Sequence, residues 1–259
     1  MKTSEVRGIT ININKIKLIK WKNKSQNYRH CDYRAWPLAY KHFMKQEKVH
    51  ELSLIDGLQM LIQAESDVRW NNRYDRLLKN ANFRYTASLE QIDTGGQRGI
   101  DPGMLSTLAV GNYIKNGESI LITGATGVGK SMLATALGHQ ACRQGYSVTY
   151  YNTQKLLPAL KIARLEGALI KRLEKLAKTD LLILDDFGLT TLDGQQQNDM
   201  MEIIEDRHAR RSTIFVSQLP VAAWYDVFPE QTIADAILDR IVHTAHRFTI
   251  KGESLRKKK

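Results

Sequence analysis

Gly124-Ala125-Thr126-Gly127-Val128-Gly129-Lys130-Ser131 fits the pattern G-x-x-x-x-G-K-[ST] without a gap. It follows an apolar run, Ile120-Leu121-Ile122, and opens onto a stretch rich in Ala and Leu, so it reads as a loop between a strand and a helix. The glycines let the backbone curl until successive N–H groups point at phosphate oxygens, and the helix N-terminus behind them favours the same anion. All eight residues are therefore expected to cradle the phosphates of ATP. Lys130 is placed on the β- and γ-phosphates, and Ser131 supplies a hydroxyl to Mg²⁺. The bland alternative, a glycine-rich turn entering a helix, does not require all eight positions and both flanks to agree.

Fifty residues on, Leu181-Leu182-Ile183-Leu184-Asp185-Asp186 sets four apolar residues before two carboxylates. A continuously apolar strand is buried on both faces of a parallel sheet, so its carboxylates emerge at the C-terminal edge, where a phosphate loop also opens. Asp185 is expected to hold the Mg²⁺ shell, and Asp186 to orient and polarise the attacking water. A further run, Thr213-Ile214-Phe215-Val216, ends in Ser217-Gln218. Either polar residue could hold the water between carboxylate and γ-phosphate. Gln218 has the longer reach, with Ser217 second; the other reading is a plain turn before Pro220.

Around these motifs, strands and helices alternate, which predicts an α/β P-loop fold with a five-stranded parallel sheet between helices. The expected strands are Ser119–Thr123, Ser147–Tyr151, Asp180–Leu184, Thr213–Val216 and Arg247–Ile250. Gly95-Gly96 and Asp101-Pro102-Gly103 have linker composition. They separate an ATPase domain, 96–259, from a small all-α N-terminal domain, 36–95. In that smaller domain Ser53-Leu54-Ile55-Asp56 has capping-box form, with Asp in place of Glu or Gln, and starts one helix. A second, about 67–82, puts Trp70, Tyr74, Leu77, Leu78 and Ala81 on one face and Arg69, Arg73, Arg76 and Lys79 on another. The basic stripe reads either as a solvated face or as a DNA phosphate contact. Residues 1–35 read as a basic mobile arm, with eight Lys or Arg and one acidic residue in the first 30.

Composition sets the outer bounds. The 259 residues, 42% hydrophobic, suffice for one sizeable domain and a smaller one. No apolar run is long enough to span a membrane and the N-terminus has no apolar signal core, so a cytoplasmic protein without a membrane partner is expected. Two cysteines, Cys31 and Cys142, allow neither a disulfide framework nor a four-cysteine zinc site. The net charge is +11. Residues 1–100 hold 18 Lys+Arg against 10 Asp+Glu, and residues 101–259 hold 20 against 17, so the N-terminal part is the favoured polyanion-binding region.

The chain resembles the IstB-like ATPases encoded beside the transposase in bacterial insertion sequences, members of the AAA+ superfamily related to DnaC-type helicase loaders. The likeness runs from about residue 36 to the C-terminus. It is carried by Ile122–Ser131, Leu184-Asp185-Asp186-Phe187-Gly188, Ser217-Gln218-Leu219-Pro220, Thr232–Arg240 and Gly252-Glu253-Ser254-Leu255-Arg256. Residues 1–35 depart from the family's opening helix, and Asp186 stands where AAA+ proteins commonly have Glu. The resemblance implies an ATPase that assembles with ATP into a homo-oligomer on double-stranded DNA and serves a cognate transposase. It also implies that Arg240 is an arginine finger reaching a neighbour's γ-phosphate, and that Arg256 has a sensor role at the nucleotide. The residue-level alternative for Arg240 is a helix ion pair with Asp235 or Asp239. The alternative function is a DnaC-like helicase loader.

Overall fold

A computed structural model of the chain describes residues 3–6, 9–12, 53–96 and 98–255, which fall into two compact units, 1–71 and 72–259. In the first, β1 (Thr3–Val6) and β2 (Ile9–Asn12) pair antiparallel, with Thr3 opposite Asn12 and Val6 opposite Ile9. The sparse periodicity of residues 1–30 gives no sign of this ladder. Helix α1 spans Leu54–Ala81, where the sequence pattern suggests two helices. Ser53 and Asp56 form the reciprocal cap, Asp56 N–H donating to Ser53 Oγ at 3.2 Å and Ser53 N–H to Asp56 Oδ2 at 3.3 Å. The expected break is bridged by side-chain bonds one turn apart, Gln63 to Asp67 at 2.7 Å and Arg69 to Glu65 at 2.9 Å. Leu54, Ile55, Leu58 and Ile62, spaced as one helix face, are exposed. The all-α domain expected over 36–95 lies partly outside the described residues.

In the second unit the Gly- and Pro-containing stretch after α1 is packed rather than loose. Ala87 and Ile100 are buried, and Phe83, Leu89 and Ile92 lie against the core. The segment 83–100 thus belongs to the second compact unit, 72–259. Asp101 caps α2 (Pro102–Ala109) through Gly103 and Met104 N–H, and the short α3 (Asn112–Asn116) leads to the sheet. The chain then runs β3 (Ile120–Gly124), α4 (Lys130–Arg143), β4 (Val148–Asn152), α5 (Thr153–Leu165), α6 (Leu169–Lys178) and β5 (Leu181–Phe187). It finishes with α7 (Gly194–Arg207), β6 (Ser212–Ser217), α8 (Gln231–Val242) and β7 (His246–Ile250). Each of the five strands expected from the sequence is present. No helix among the described residues is long and apolar enough to cross a membrane.

All strand pairs in the five-stranded sheet are parallel, in the order β4-β5-β6-β3-β7. The two-residue period of a strand divides its side chains between two cores. Ile120, Ile122, Ile183, Ile214 and Val216 pack with Leu133 and Leu137 of α4. Leu121, Leu182, Leu184 and Phe215 pack on the other side with Leu156, Leu173, Ile203 and Ile237 from α5 to α8. The helix following β3 therefore covers one face and the helix following β6 the other. Where connections leave neighbouring strands toward opposite faces, a crevice opens at their carboxyl ends.

At the opposite edge, Arg207 ties helix to sheet. It is 2% exposed and donates to the Leu176 and Thr179 carbonyls at the C-terminal end of α6, to the Ser212 carbonyl and to Thr213 Oγ1. Burial lowers its pKa to about 9, which leaves the guanidinium charged at neutral pH. These neutral acceptors stand in for hydration. Arg207→Leu removes four buried hydrogen bonds from a charged donor, each contributing about 1.5–3 kcal/mol before the surrounding groups re-pair. We expect an overall loss of about 3 kcal/mol or more, read as a lowered urea midpoint with unchanged m-value.

Candidate nucleotide site

The Gly124–Ser131 loop leaves β3, which lies between β6 and the edge strand β7, and re-enters structure as the first residues of α4. Two glycines are required by close approach. A Cβ on Gly124 would lie 2.3 Å from the Ile250 carbonyl on β7, and one on Gly127 would lie 2.2 Å from Ser254 Oγ. Gly127 and Gly129 have φ of +86° and +106°, which side chains disfavour and which wrap the loop over the start of α4. The first-turn N–H groups of that 14-residue helix, which have no carbonyl one turn back within it, lie at the arch, the arrangement that binds phosphate. Lys130 is buried beneath it and donates to the Ala125 carbonyl at 2.7 Å. Thr126 Oγ1, at the crest, donates to Gln218 Oε1 at 2.7 Å.

The carboxylates stand at the end of β5, where the ladder to β6 slips between Leu184 and Phe187 and Asp186 takes φ +56°. Such a bulge re-aims side chains where pairing ends. Asp185 is 2% exposed; its Oδ2 accepts from the Tyr150 hydroxyl and its Oδ1 from Asp186 N–H at 2.9 Å. Asn152 Nδ2 donates to Asp186 Oδ2 at 2.6 Å. The last residues of β4 thus hold both carboxylates. Burial raises the pKa of the Tyr150 phenol and the adjoining Asp185 carboxylate raises it further, so the tyrosine remains a donor.

The two polar residues ending β6 have different fates. Ser217 is 1% exposed; its hydroxyl donates to the Phe187 carbonyl at 2.7 Å and accepts from Leu219 N–H at 3.1 Å. It is turned into the joint between β5 and β6 and is unavailable to a water in the crevice, which corrects its placement among the catalytic candidates. Gln218 alone reaches the loop. Arg240 lies elsewhere: its guanidinium meets Glu205 Oε2 and the Ala236 carbonyl, each at 2.8 Å, and its pairing with Glu205 replaces the expected Asp235 or Asp239. Arg256 lies outside the described residues.

Of the basic stripe on α1, all four side chains are exposed, but two have partners within the protein. Arg69 pairs with Glu65, and Arg73 donates to the Gly145 carbonyl at 2.8 Å, while Tyr74, Leu77 and Leu78 of the last turns pack on the core of the second unit. Arg76 and Lys79 point to solvent.

The residues that sequence reasoning missed come from strands whose adjacency it could not know. Tyr150 and Asn152 face the carboxylates because β4 is the neighbour of β5. Beside the loop, a cavity of about 390 Å³ is lined by Asp93, Gly96, Arg98, Gly252, Ser254 and Leu255. Arg98 is paired with Asp93 at 3.0 Å and donates to the Val128 carbonyl at 3.2 Å, while Leu255 N–H donates to the Gly127 carbonyl at 2.9 Å. The cavity opens where a nucleoside attached to loop-bound phosphates could lie. Among the described residues no cluster of three His, Cys, Asp or Glu could cage a metal. The Ser131 hydroxyl and the Asp185 carboxylate are nonetheless the hard oxygen donors that suit Mg²⁺, which takes few protein ligands and completes its shell with phosphate and water.

A glycine arch after β3, with carboxylates two strands away at the same edge of the sheet, defines a P-loop nucleotide-binding protein. The chain belongs to the family of IstB-like ATP binding proteins, which it matches over residues 34–259. An insertion sequence ATP-binding protein of Sinorhizobium fredii is 42% identical over 223 residues, covering 85% of this chain and 89% of that protein. The ATP-binding protein of insertion sequence IS1162 from Pseudomonas fluorescens is 46% identical over 172 residues, 66% of this chain and 74% of that one. Among solved structures, the DnaC helicase loader shares the fold with a TM-score of 0.53 at 21% identity, covering 68% of this chain and 99% of that chain.

Lys130→Ala removes the cation under the arch. A charge-assisted bond contributes about 1.5–3 kcal/mol, so ATP affinity should fall roughly 10- to 150-fold in calorimetry. Unchanged affinity would remove the loop from the binding site.

Proposed function

We propose that the protein is an ATPase that assembles on duplex DNA with ATP and thereby presents that DNA to the transposase of its insertion sequence. The observation that carries the hydrolytic reading is the contact between Thr126 and Gln218. It places a polar side chain between the phosphate arch and the two carboxylates, where an attacking water must sit. On this reading Lys130 exchanges the Ala125 carbonyl for the β- and γ-phosphates, and Gln218 exchanges Thr126 for the water. Asp186 accepts the water's proton once its Asn152 bond loosens, and Asp185 with Ser131 holds the Mg²⁺ shell. Bound Mg²⁺ supplies charge neutralisation on the phosphates. The cavity between Asp93–Arg98 and Gly252–Leu255 receives the nucleoside. The origin of the 42% and 46% identical relatives in insertion sequences favours a transposase partner over a helicase-loading role.

The position of Arg240 supports the assembly reading. Its partner Glu205 and its neighbour His208 flank Arg207, which grips Ser212 and Thr213 at the start of β6. The arch lies beyond the other end of the sheet. A six-residue strand covers roughly 20 Å, so Arg240 cannot serve the nucleotide of its own subunit. A second subunit could receive it, and an arginine supplied in trans to a γ-phosphate strongly stabilises the transition state. Mixing Arg240→Ala protein with Lys130→Ala protein should then restore part of the ATPase activity that each lacks. Activity per subunit should also rise with protein concentration and with added duplex. Absence of rescue at every mixing ratio would sink the trans assignment.

DNA contact is assigned to two surfaces. One is the solvent-facing remainder of the α1 stripe, Arg76 and Lys79. The other is the α5–α6 hairpin, where residues 153–178 hold seven Lys or Arg against two acidic residues. Its tip also exposes Ile162, Leu165 and Ile170, side chains able to wedge beside a base step. Replacing Lys161, Lys171 and Lys175 by Gln should weaken binding to all duplex sequences alike. The slope of log affinity against log salt should flatten by about 0.9 for each phosphate that is no longer neutralised. A slope identical to the parent's would take the hairpin out of the interface.

A further inference from the structure

The hydrolytic mechanism leaves one buried polar group at the site without a role. Tyr150 is 6% exposed and belongs to the same apolar core cluster as Val148, Leu181 and Ile183. A phenylalanine would fill that space equally well; the hydroxyl needs an acceptor, and it has Asp185 Oδ2. The contact is set by sheet register. Tyr150 lies opposite Ile183 and Asn152 opposite Asp185, so Tyr150 and Asp185 are diagonal neighbours on one face, within reach of an aromatic side chain. That face is the one covered by α4, which carries Ser131. The second oxygen of Asp185 takes Asp186 N–H. With one donor fixed on each oxygen, the carboxylate cannot rotate about its Cβ–Cγ bond without breaking a buried hydrogen bond. Each oxygen still keeps a lone pair free.

We propose that Tyr150 is a positioning residue for Mg²⁺: its hydroxyl fixes the plane in which Asp185 presents its remaining lone pairs to the metal shell. The inference rests on the ATP·Mg²⁺ reading of the site and adds to it a residue of β4 that never touches nucleotide. Partners that orient a metal-binding group typically alter metal affinity 10- to 100-fold when removed. A tyrosine that only fills the core alters stability and leaves the metal requirement alone.

The test is Mg²⁺ titration of the full-length protein with a fluorescent, non-hydrolysable ATP analogue. Affinity for the analogue is read without metal and then across Mg²⁺ concentrations, and melting temperature is recorded in parallel. Tyr150→Phe should leave the metal-free affinity within about twofold of the parent and raise the Mg²⁺ concentration at the midpoint about tenfold. Asp185→Asn should raise it at least as far, and the double variant no further than Asp185→Asn alone, because the two side chains act as one unit. A parental midpoint in Tyr150→Phe beside a shifted one in Asp185→Asn overturns this inference and leaves the ATP·Mg²⁺ reading standing. A parental midpoint in both overturns the two together. If Tyr150→Phe lowers the melting temperature so far that it cannot be titrated, the hydroxyl is a stability element, and additive midpoint shifts in Tyr150→His with Asp185→Asn would overturn the positioning role.

Discussion

β6 lies between β3 and β5, and this interposition sets the width of the site. Neighbouring strands in a sheet are about 4.8 Å apart, so the arch after β3 and the carboxylates after β5 are separated by roughly 10 Å. That gap matches a phosphate, a metal with its waters and an attacking water laid side by side. Were the two strands adjacent, the carboxylates would crowd the phosphates. With β6 between them, the residue after its end reaches into the gap from behind, and Gln218 does so. The polar groups gather at this edge because the strands themselves are apolar on both faces and leave no other place for charge.

The same burial explains what can be read from the chain. Continuous apolar runs ending in Asp185-Asp186 or entering Gly124–Ser131 signal a buried parallel strand and its carboxyl end, and both are where the pattern puts them. Strand order leaves no mark on a single sequence. Tyr150 and Asn152 are therefore invisible as partners of Asp185 and Asp186, although their distance from those carboxylates is fixed once β4 and β5 are known to pair. Gly95-Gly96 and Asp101-Pro102-Gly103 mislead for a different reason. Glycine and proline report where the backbone turns, not whether the turns are packed, and Ile92 and Ile100 hold this segment on the core. Helix α1 reads as two because its apolar pattern changes near residue 65; hydrogen bonds from Gln63 and Arg69 carry the helix through.

Charge is legible as a total and misleading as a gradient. The surplus in residues 1–100 draws attention to the basic stripe of α1, yet two of its four cations have protein partners, Arg69 in an ion pair and Arg73 on a backbone carbonyl. In residues 101–259 a nearly balanced count conceals the α5–α6 hairpin, whose excess is offset by acidic residues distributed over the rest of the domain. What attracts a polyanion is local density on an exposed element, and helices on a sheet edge can concentrate charge that a count over a hundred residues averages away.

The pairing of Arg240 with Glu205 has a consequence for how ionic strength acts on the protein. On the trans reading, the guanidinium must leave this pair before it can cross to a neighbour, so the resting subunit holds its own finger back. An exposed pair of this kind contributes about 0.2–1 kcal/mol and weakens as salt screens it, releasing the finger by a factor of up to about five. On the proposed DNA-binding reading, the same ions would weaken the protein's hold on phosphate. On these readings ionic strength would pull in opposite directions on the two halves of assembly, so that an intermediate salt concentration, rather than the lowest, would be where DNA and a freed Arg240 coexist most often.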